Sequence, residues 1–102
     1  MVTITVKEKE YKLNLRMIDM IALEKELNAN PINLFTGANA DGTNIPFKFG
    51  DMATIIRYSL KQYHHGMKEE SVYDLIDEWL EEEGNGLEKL IEVIMELLKR
   101  FF

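Results

Sequence analysis

The sequence predicts an α+β domain, an N-terminal β-hairpin packed on a small bundle of about four helices. Three observations predict it. The first fifteen residues alternate apolar and polar with a period of two, as a half-buried strand does. Most of the rest repeats its apolar residues at three- and four-residue steps, as an amphipathic helix does. Glycine and proline, with most of the asparagines, fall between these runs, Asn14 being the exception inside the second strand. The 102 residues suffice for one domain, 1–102, with a real core.

The elements follow in order. Val2, Ile4 and Val6 share one strand face against Thr3, Thr5 and Lys7. Tyr11, Leu13 and Leu15 repeat the pattern after Glu8-Lys9-Glu10, which predicts a hairpin over about 2–15. A two-stranded hairpin is marginal alone in water, so helices must cover its apolar face. Met17, Ile18, Met20, Ile21, Leu23 and Leu27 give a broad apolar face to a helix over about 17–28, ended by Asn28 to Pro31. Residues 31–36 predict one more helical turn with Pro31 at its first position. The segment 37–46 (GANADGTNIP) reads as a loop. Asp51 is placed as the N-cap of a helix over about 52–64, with Met52, Ile55, Ile56, Leu60 and Tyr63 as its stripe and Gly66 at its end. Val72, Leu75, Ile76, Trp79 and Leu80 predict a helix over about 69–83, with Gly84 as its C-cap. Asn85-Gly86 turns the chain into a helix over about 87–101, and so short a turn favours antiparallel neighbours.

That last segment carries the clearest apolar stripe. Leu87, Leu90, Ile91, Ile94, Leu97, Leu98, Phe101 and Phe102 fall on one helical face. Each such side chain gains about 1.5–3 kcal/mol on burial. Two covers fit the stripe: the domain's own hairpin and Trp79, or a partner. Leu90, Ile94, Leu97, Leu98, Phe101 and Phe102 are therefore the candidate protein-binding residues, the last two above all.

Charge and composition narrow the function. A net charge of −6 disfavours general binding to a phosphate backbone, so no nucleic-acid partner is expected. There is no cysteine, hence no disulfide or thiolate chemistry. No apolar run approaches the roughly 20 residues of a membrane span, and the first residues read as folded structure, unlike a signal or transit peptide. His64 and His65 are adjacent, and successive helical residues point about 100° apart, so they do not chelate as an i, i+4 pair does. Glu69, Glu70, Asp74, Asp77, Glu78, Glu81, Glu82 and Glu83 lie opposite the Val72–Leu80 stripe. With no basic residue in the run, they read first as a solvated face and second as a surface for a basic partner. No phosphate loop, nucleophile elbow or triad is present. The expectation is a non-enzymatic protein with no cofactor and no metal. Met17, Met20, Met52, Met67 and Met95 are adaptable side chains suited to cores and to permissive binding surfaces.

Taken in order, short motifs span nearly the whole chain. Tyr-x-Leu-x-Leu-Arg (Tyr11 to Arg16) precedes Leu-Glu-Lys-Glu-Leu (Leu23 to Leu27), then Asn30-Pro31 and a loop. Tyr63-His64-His65-Gly66 follows, then Val-x-x-Leu-Ile-Asp-x-x-Leu-Glu (Val72 to Glu81), Gly84 and a final hydrophobic helix. This order resembles the tail assembly chaperones of long-tailed bacteriophages and related prophages of Gram-positive bacteria. The resemblance implies a chaperone that binds the helical tape measure protein, keeps it soluble and helps recruit tail tube subunits. It implies a homo-oligomer acting in the cytoplasm of the infected or lysogenic host and absent from the mature virion. It also implies a longer product made by a programmed frameshift near the end of this reading frame. The family has no sharp binding motif, so it assigns no individual site residue here. Two other readings stay open: a small structural or connector protein of the virion, and a metal-binding protein or enzyme using His64, His65 and nearby acids.

Overall fold

The computed structural model describes residues 1–32 and 48–101. The loop expected over 37–46, most of the helical turn expected over 31–36, and Phe102 lie outside the described residues.

The hairpin forms as β1 (Val2–Val6) antiparallel to β2 (Lys9–Leu13), with Val2 opposite Leu13 and Val6 opposite Lys9. This register leaves a two-residue turn at Lys7-Glu8, one position earlier than the Glu8-Lys9-Glu10 spacer expected from the alternation. Both turn residues are left-handed, with φ of 50° and 68°, as a tight hairpin of right-twisted strands requires. Left-handed backbone costs a non-glycine residue about 1–2 kcal/mol, and contacts with the end of a later helix hold it in place. The Lys7 N–H donates to the Glu82 carboxylate at 3.2 Å, and Lys7 Nζ donates to Glu78 at 3.3 Å. The acidic run is thus relieved at Glu78 by a cation from the hairpin and at Glu82 by a backbone N–H, both hidden by sequence distance. Val6 and Leu13 are buried, and Val2, Ile4 and Tyr11 pack against the core from its edge.

Helix α1 (Met17–Leu27) starts after Arg16, whose N–H donates to the Asp19 carboxylate at 2.9 Å while its guanidinium Nε donates to the same oxygen at 2.9 Å. Asp19 is buried with those partners, a reciprocal lock on the first turn. Asn28 ends the helix in the left-handed conformation. The broad apolar face divides: Met20 and Leu23 enter the core, whereas Met17, Ile18 and Ile21 remain exposed. Asn30 Oδ1 accepts the N–H of Ile32 at 3.0 Å, and Pro31 is buried at the start of the turn expected there.

Helix α2 (Phe49–Leu60) is the central element. It begins three residues before the expected Met52, so Asp51 lies inside the first turn and Lys48 occupies the cap. It ends at Leu60, and Tyr63 to His65 lie beyond it. Met52, Ile55, Ile56, Ser59 and Leu60 are all buried. The Ser59 carbonyl accepts the N–H of Asn14 at 2.8 Å, and Ser59 Oγ donates to the Ile56 carbonyl at 2.6 Å. This stitches the end of the hairpin to α2. On the opposite flank Tyr58 Oη donates to Glu26 at 2.9 Å, and Arg57 forms an ion pair with the same carboxylate.

Helices α3 (Glu69–Glu81) and α4 (Leu87–Leu98) follow, and Lys99–Phe101 tightens into a 3-10 turn where a continuous helix to 101 was expected. The cap of α3 is Glu82, in extended backbone, not Gly84. Gly84 instead supplies the left-handed turn, with φ of 88°, and Asn85 Nδ2 closes it by donating to the Trp79 carbonyl at 2.8 Å. The main contacts of α3 and α4 are with α2 and β1, not with each other as the short turn predicts. Their side chains do meet deep in the core, where Ile4, Ile56, Leu75, Trp79, Leu90 and Val93 surround a void of about 10 Å³. None of the helices among the described residues is long and apolar enough to cross a membrane.

A candidate protein-docking groove

The terminal stripe proposed from the sequence is core. Ile94 and Leu98 are fully buried, and Leu90 and Leu97 nearly so, beneath the hairpin and against α2. These four side chains are not an open surface, and the reading of them as a free protein-binding face is corrected. The cause is that α4 has the hairpin on one side and α2 on the other, so its strongest face is covered by its own domain. Phe101 is half-buried against the same core, held by a turn in which Arg100 Nη1 donates to the Leu15 carbonyl at 3.1 Å and to Asn14 Oδ1 at 3.3 Å. Phe102 lies outside the described residues.

Among the described residues, exposed apolar side chains gather elsewhere. Because α3 and α4 lean on α2 and β1, a gap opens between the first turns of α2 and α4 and the second half of α3. Phe49, Met52, Ala53, Tyr73, Ile76, Leu80, Leu87 and Leu90 line this groove, whose open volume is about 530 Å³. Its walls are apolar apart from the Gly50 backbone, the Tyr73 hydroxyl and Asp77. Phe49 is 75% exposed, Tyr73 42% and Leu80 36%. Met52, Ala53 and Leu90 form the buried floor. Tyr73 is fixed by its hydroxyl, which donates to Glu69 one turn back. Of these residues the sequence marked Met52, Ile76, Leu80, Leu87 and Leu90 as stripe members; it did not mark Phe49, Ala53 or Tyr73. Tyr73 and Leu80 are seven residues apart, with Ile76 between, so a second apolar row beside the core stripe was the signal available.

The acidic face borders this groove. Glu70, Asp74, Asp77 and Glu81 recur at steps of four, three and four residues, all exposed, on the lip of α3 next to Tyr73 and Leu80. Among the described residues none of these four carboxylates takes part in an ion pair, in contrast to Glu78.

His64 serves the fold at one end of the hairpin. His64 Nε2 accepts the backbone N–H of Lys12 at 3.0 Å, and its ring lies 5.2 Å from that of Tyr11. Burial, with Lys9 and Lys12 nearby, holds its pKa below the ordinary 6.5. His65 is exposed, and no group of three ligating side chains occurs among the described residues. Met20 and Met52 belong to the core, whereas Met17 and Met95 are exposed. A separate exposed patch of Met17, Ile18 and Ile21 lies on α1. No protein-family model, no curated protein and no solved structure matches this chain.

Proposed function

We propose that this chain is a non-catalytic tail assembly chaperone that holds a helical client, the tape measure protein, by its apolar face and keeps it soluble during tail tube assembly. The observation that carries the reading is the groove between α2, α3 and α4, which leaves Phe49, Tyr73 and Leu80 open to solvent. Contiguous exposed apolar surface on a small domain marks a partner site more often than chance. A groove between helices suits the apolar face of a further helix, with side chains at i, i+3 or i+4 and i+7 as anchors. The net charge of −6 keeps such a domain soluble while its groove is empty. The order of motifs from Tyr11 to Glu81 supports the same reading. Self-association, contact with tail tube subunits, and action in the host cytoplasm before the virion is complete belong to this proposal. Several weak grooves in one assembly raise avidity for a long client.

Co-expression with the tape measure protein tests it. The expected result is a higher soluble yield of the client and its co-purification with this chain. The double substitution Phe49→Asp with Leu80→Asp should abolish both while leaving the circular dichroism spectrum unchanged, because both side chains are exposed. No co-purification with the unaltered chain, or full co-purification with the double variant, overturns the assignment of the groove as the client site.

A further inference from the structure

We propose that the groove selects a basic amphipathic helix, in which Lys and Arg flank the apolar anchors and pair with Glu70, Asp74, Asp77 and Glu81. The inference rests on the client-binding reading and names the chemistry of the bound segment. Two features meet at one place. The groove is apolar, and Asp77 in its lining belongs to a row of four exposed carboxylates that shares one side of α3 and spans about 16 Å of helix, eleven steps of 1.5 Å. A bound helix of three or four turns is of the same length, so its flanking positions run beside the row. Helix α3 itself has no Lys or Arg to neutralise the row. The nearest cations in sequence, Lys68 before α3 and Lys89 after it, form no ion pair with it among the described residues.

The row is not explained by α3 alone. Carboxylates in the last turn of a helix oppose its dipole, so Glu81 is unfavourable for the isolated helix. A cationic partner reverses the sign of that effect. A second copy of this chain is the poorer occupant. Its net charge of −6 sets acid against acid, and the exposed apolar face of its α1 is flanked by Arg16, Glu24 and Lys25, a mixed set. Charges at the rim of an apolar site act mainly on association rate and on the choice of partner, so discrimination between partners is the quantity to measure.

The test uses two synthetic helical peptides of about 18 residues, roughly 27 Å long, with the same leucine stripe and either lysine or glutamate on its flanks. Binding to the full chain is followed by fluorescence anisotropy. The lysine peptide should bind more tightly by roughly tenfold or more at low ionic strength, and the preference should shrink as salt is raised past about 0.1 M. The triple variant D74K/D77K/E81K should reverse the preference, and the wild-type salt titration gives the same information without a variant. Equal binding of the two peptides, or a preference indifferent to both salt and charge reversal, overturns the proposal. A client that co-purifies through Phe49 and Leu80 but ignores the charge reversal defeats the basic-helix inference and leaves the chaperone reading intact. A lysine peptide that binds as expected, beside a tape measure protein that does not bind, does the opposite.

Discussion

Two apolar surfaces of this domain have similar composition and opposite fates. The α4 stripe of Leu90, Ile94, Leu97 and Leu98 is closed over by the hairpin and α2. The groove row of Phe49, Tyr73, Ile76 and Leu80 is left partly open by the same packing. Both are runs of large side chains at helical spacing. The difference lies in what stands opposite: a strand pair with its own apolar face in one case, a gap between diverging helices in the other. Periodicity therefore reports that a helix has an apolar face, whereas coverage is decided by elements distant in sequence.

The largest expected effect breaks or confirms this contrast directly. Ile94→Ala removes a side chain with no exposed surface, and should cost about 2–5 kcal/mol through lost burial and the cavity left behind. Phe49→Ala, at the lip of the groove and 75% exposed, should fall within about 0.5 kcal/mol of the parent, as surface changes do. Urea unfolding midpoints of the two variants measure the difference. Equal losses would mean that the groove is as closed as the core, and the docking reading would fail with it.

The same contrast explains what the sequence made legible. The alternation of Val2 to Val6 and of Tyr11 to Leu15, and the periodicity of α2, α3 and α4, were enough for the α+β class and for most of the core. The ends of helices were less legible. Asp51 has the chemistry of a cap, yet the helix extends back to Phe49, and Gly84 serves the turn two residues beyond the cap. A local propensity yields there to the packing of the whole element. Leu90, Ile94, Leu97 and Leu98 are covered for a related reason, although the strongest stripe is the one that most suggests a partner. The strongest stripe is also the one its own fold buries first, since it gains most from burial. Phe49 stands three residues before Met52 and seven before Ile56, so it continues the α2 stripe backwards, but an N-cap at Asp51 sets it outside the expected helix. The partners of Glu78 and Glu82 were invisible for another reason, since Lys7 lies more than 70 residues away in the chain.

A smaller effect concerns what keeps the α4 stripe covered. The hairpin is fastened to the region beyond α2 by the Lys12 N–H, which donates to His64 Nε2, so His64 must be neutral with its proton on Nδ1. The folded-state pKa lies below the ordinary 6.5, through burial first and Lys9 and Lys12 second. The unfolded chain therefore takes up its proton at a higher pH than the folded one. Stability contributed by this group is fully present above pH 6.5 and declines as the pH falls below 6.5, until the folded histidine is itself protonated. His64→Gln retains an acceptor and removes the titration, so it should flatten this part of the pH profile at a cost of about 0.5–1.5 kcal/mol near neutrality. An unchanged slope below pH 6.5 in that variant would remove His64 from the account of how the hairpin is held.

The smallest effect lies on the far side of α2, where α1 is fastened without covering either apolar surface. Glu26 accepts hydrogen bonds from Arg57 and from Tyr58 Oη, and the Arg57 bond chiefly lowers its pKa from the ordinary 4.5, against a smaller opposing effect of burial. A carboxylate held lower in the fold than in the unfolded chain stabilises above its ordinary value. That contribution is lost as the pH falls from about 4.5 through the lower folded value. The Glu26 side chain is 40% exposed, so solvent screening limits the pair to about 1 kcal/mol at most. Glu26→Gln should thus shift the neutral-pH unfolding midpoint slightly and leave peptide binding in the groove unchanged, since Ala53 and Tyr73, not Glu26, line it. If the substitution weakens binding as well, the first turns of α2 are positioned by α1, and the groove is a property of three seams in the fold instead of the α2, α3 and α4 junction alone.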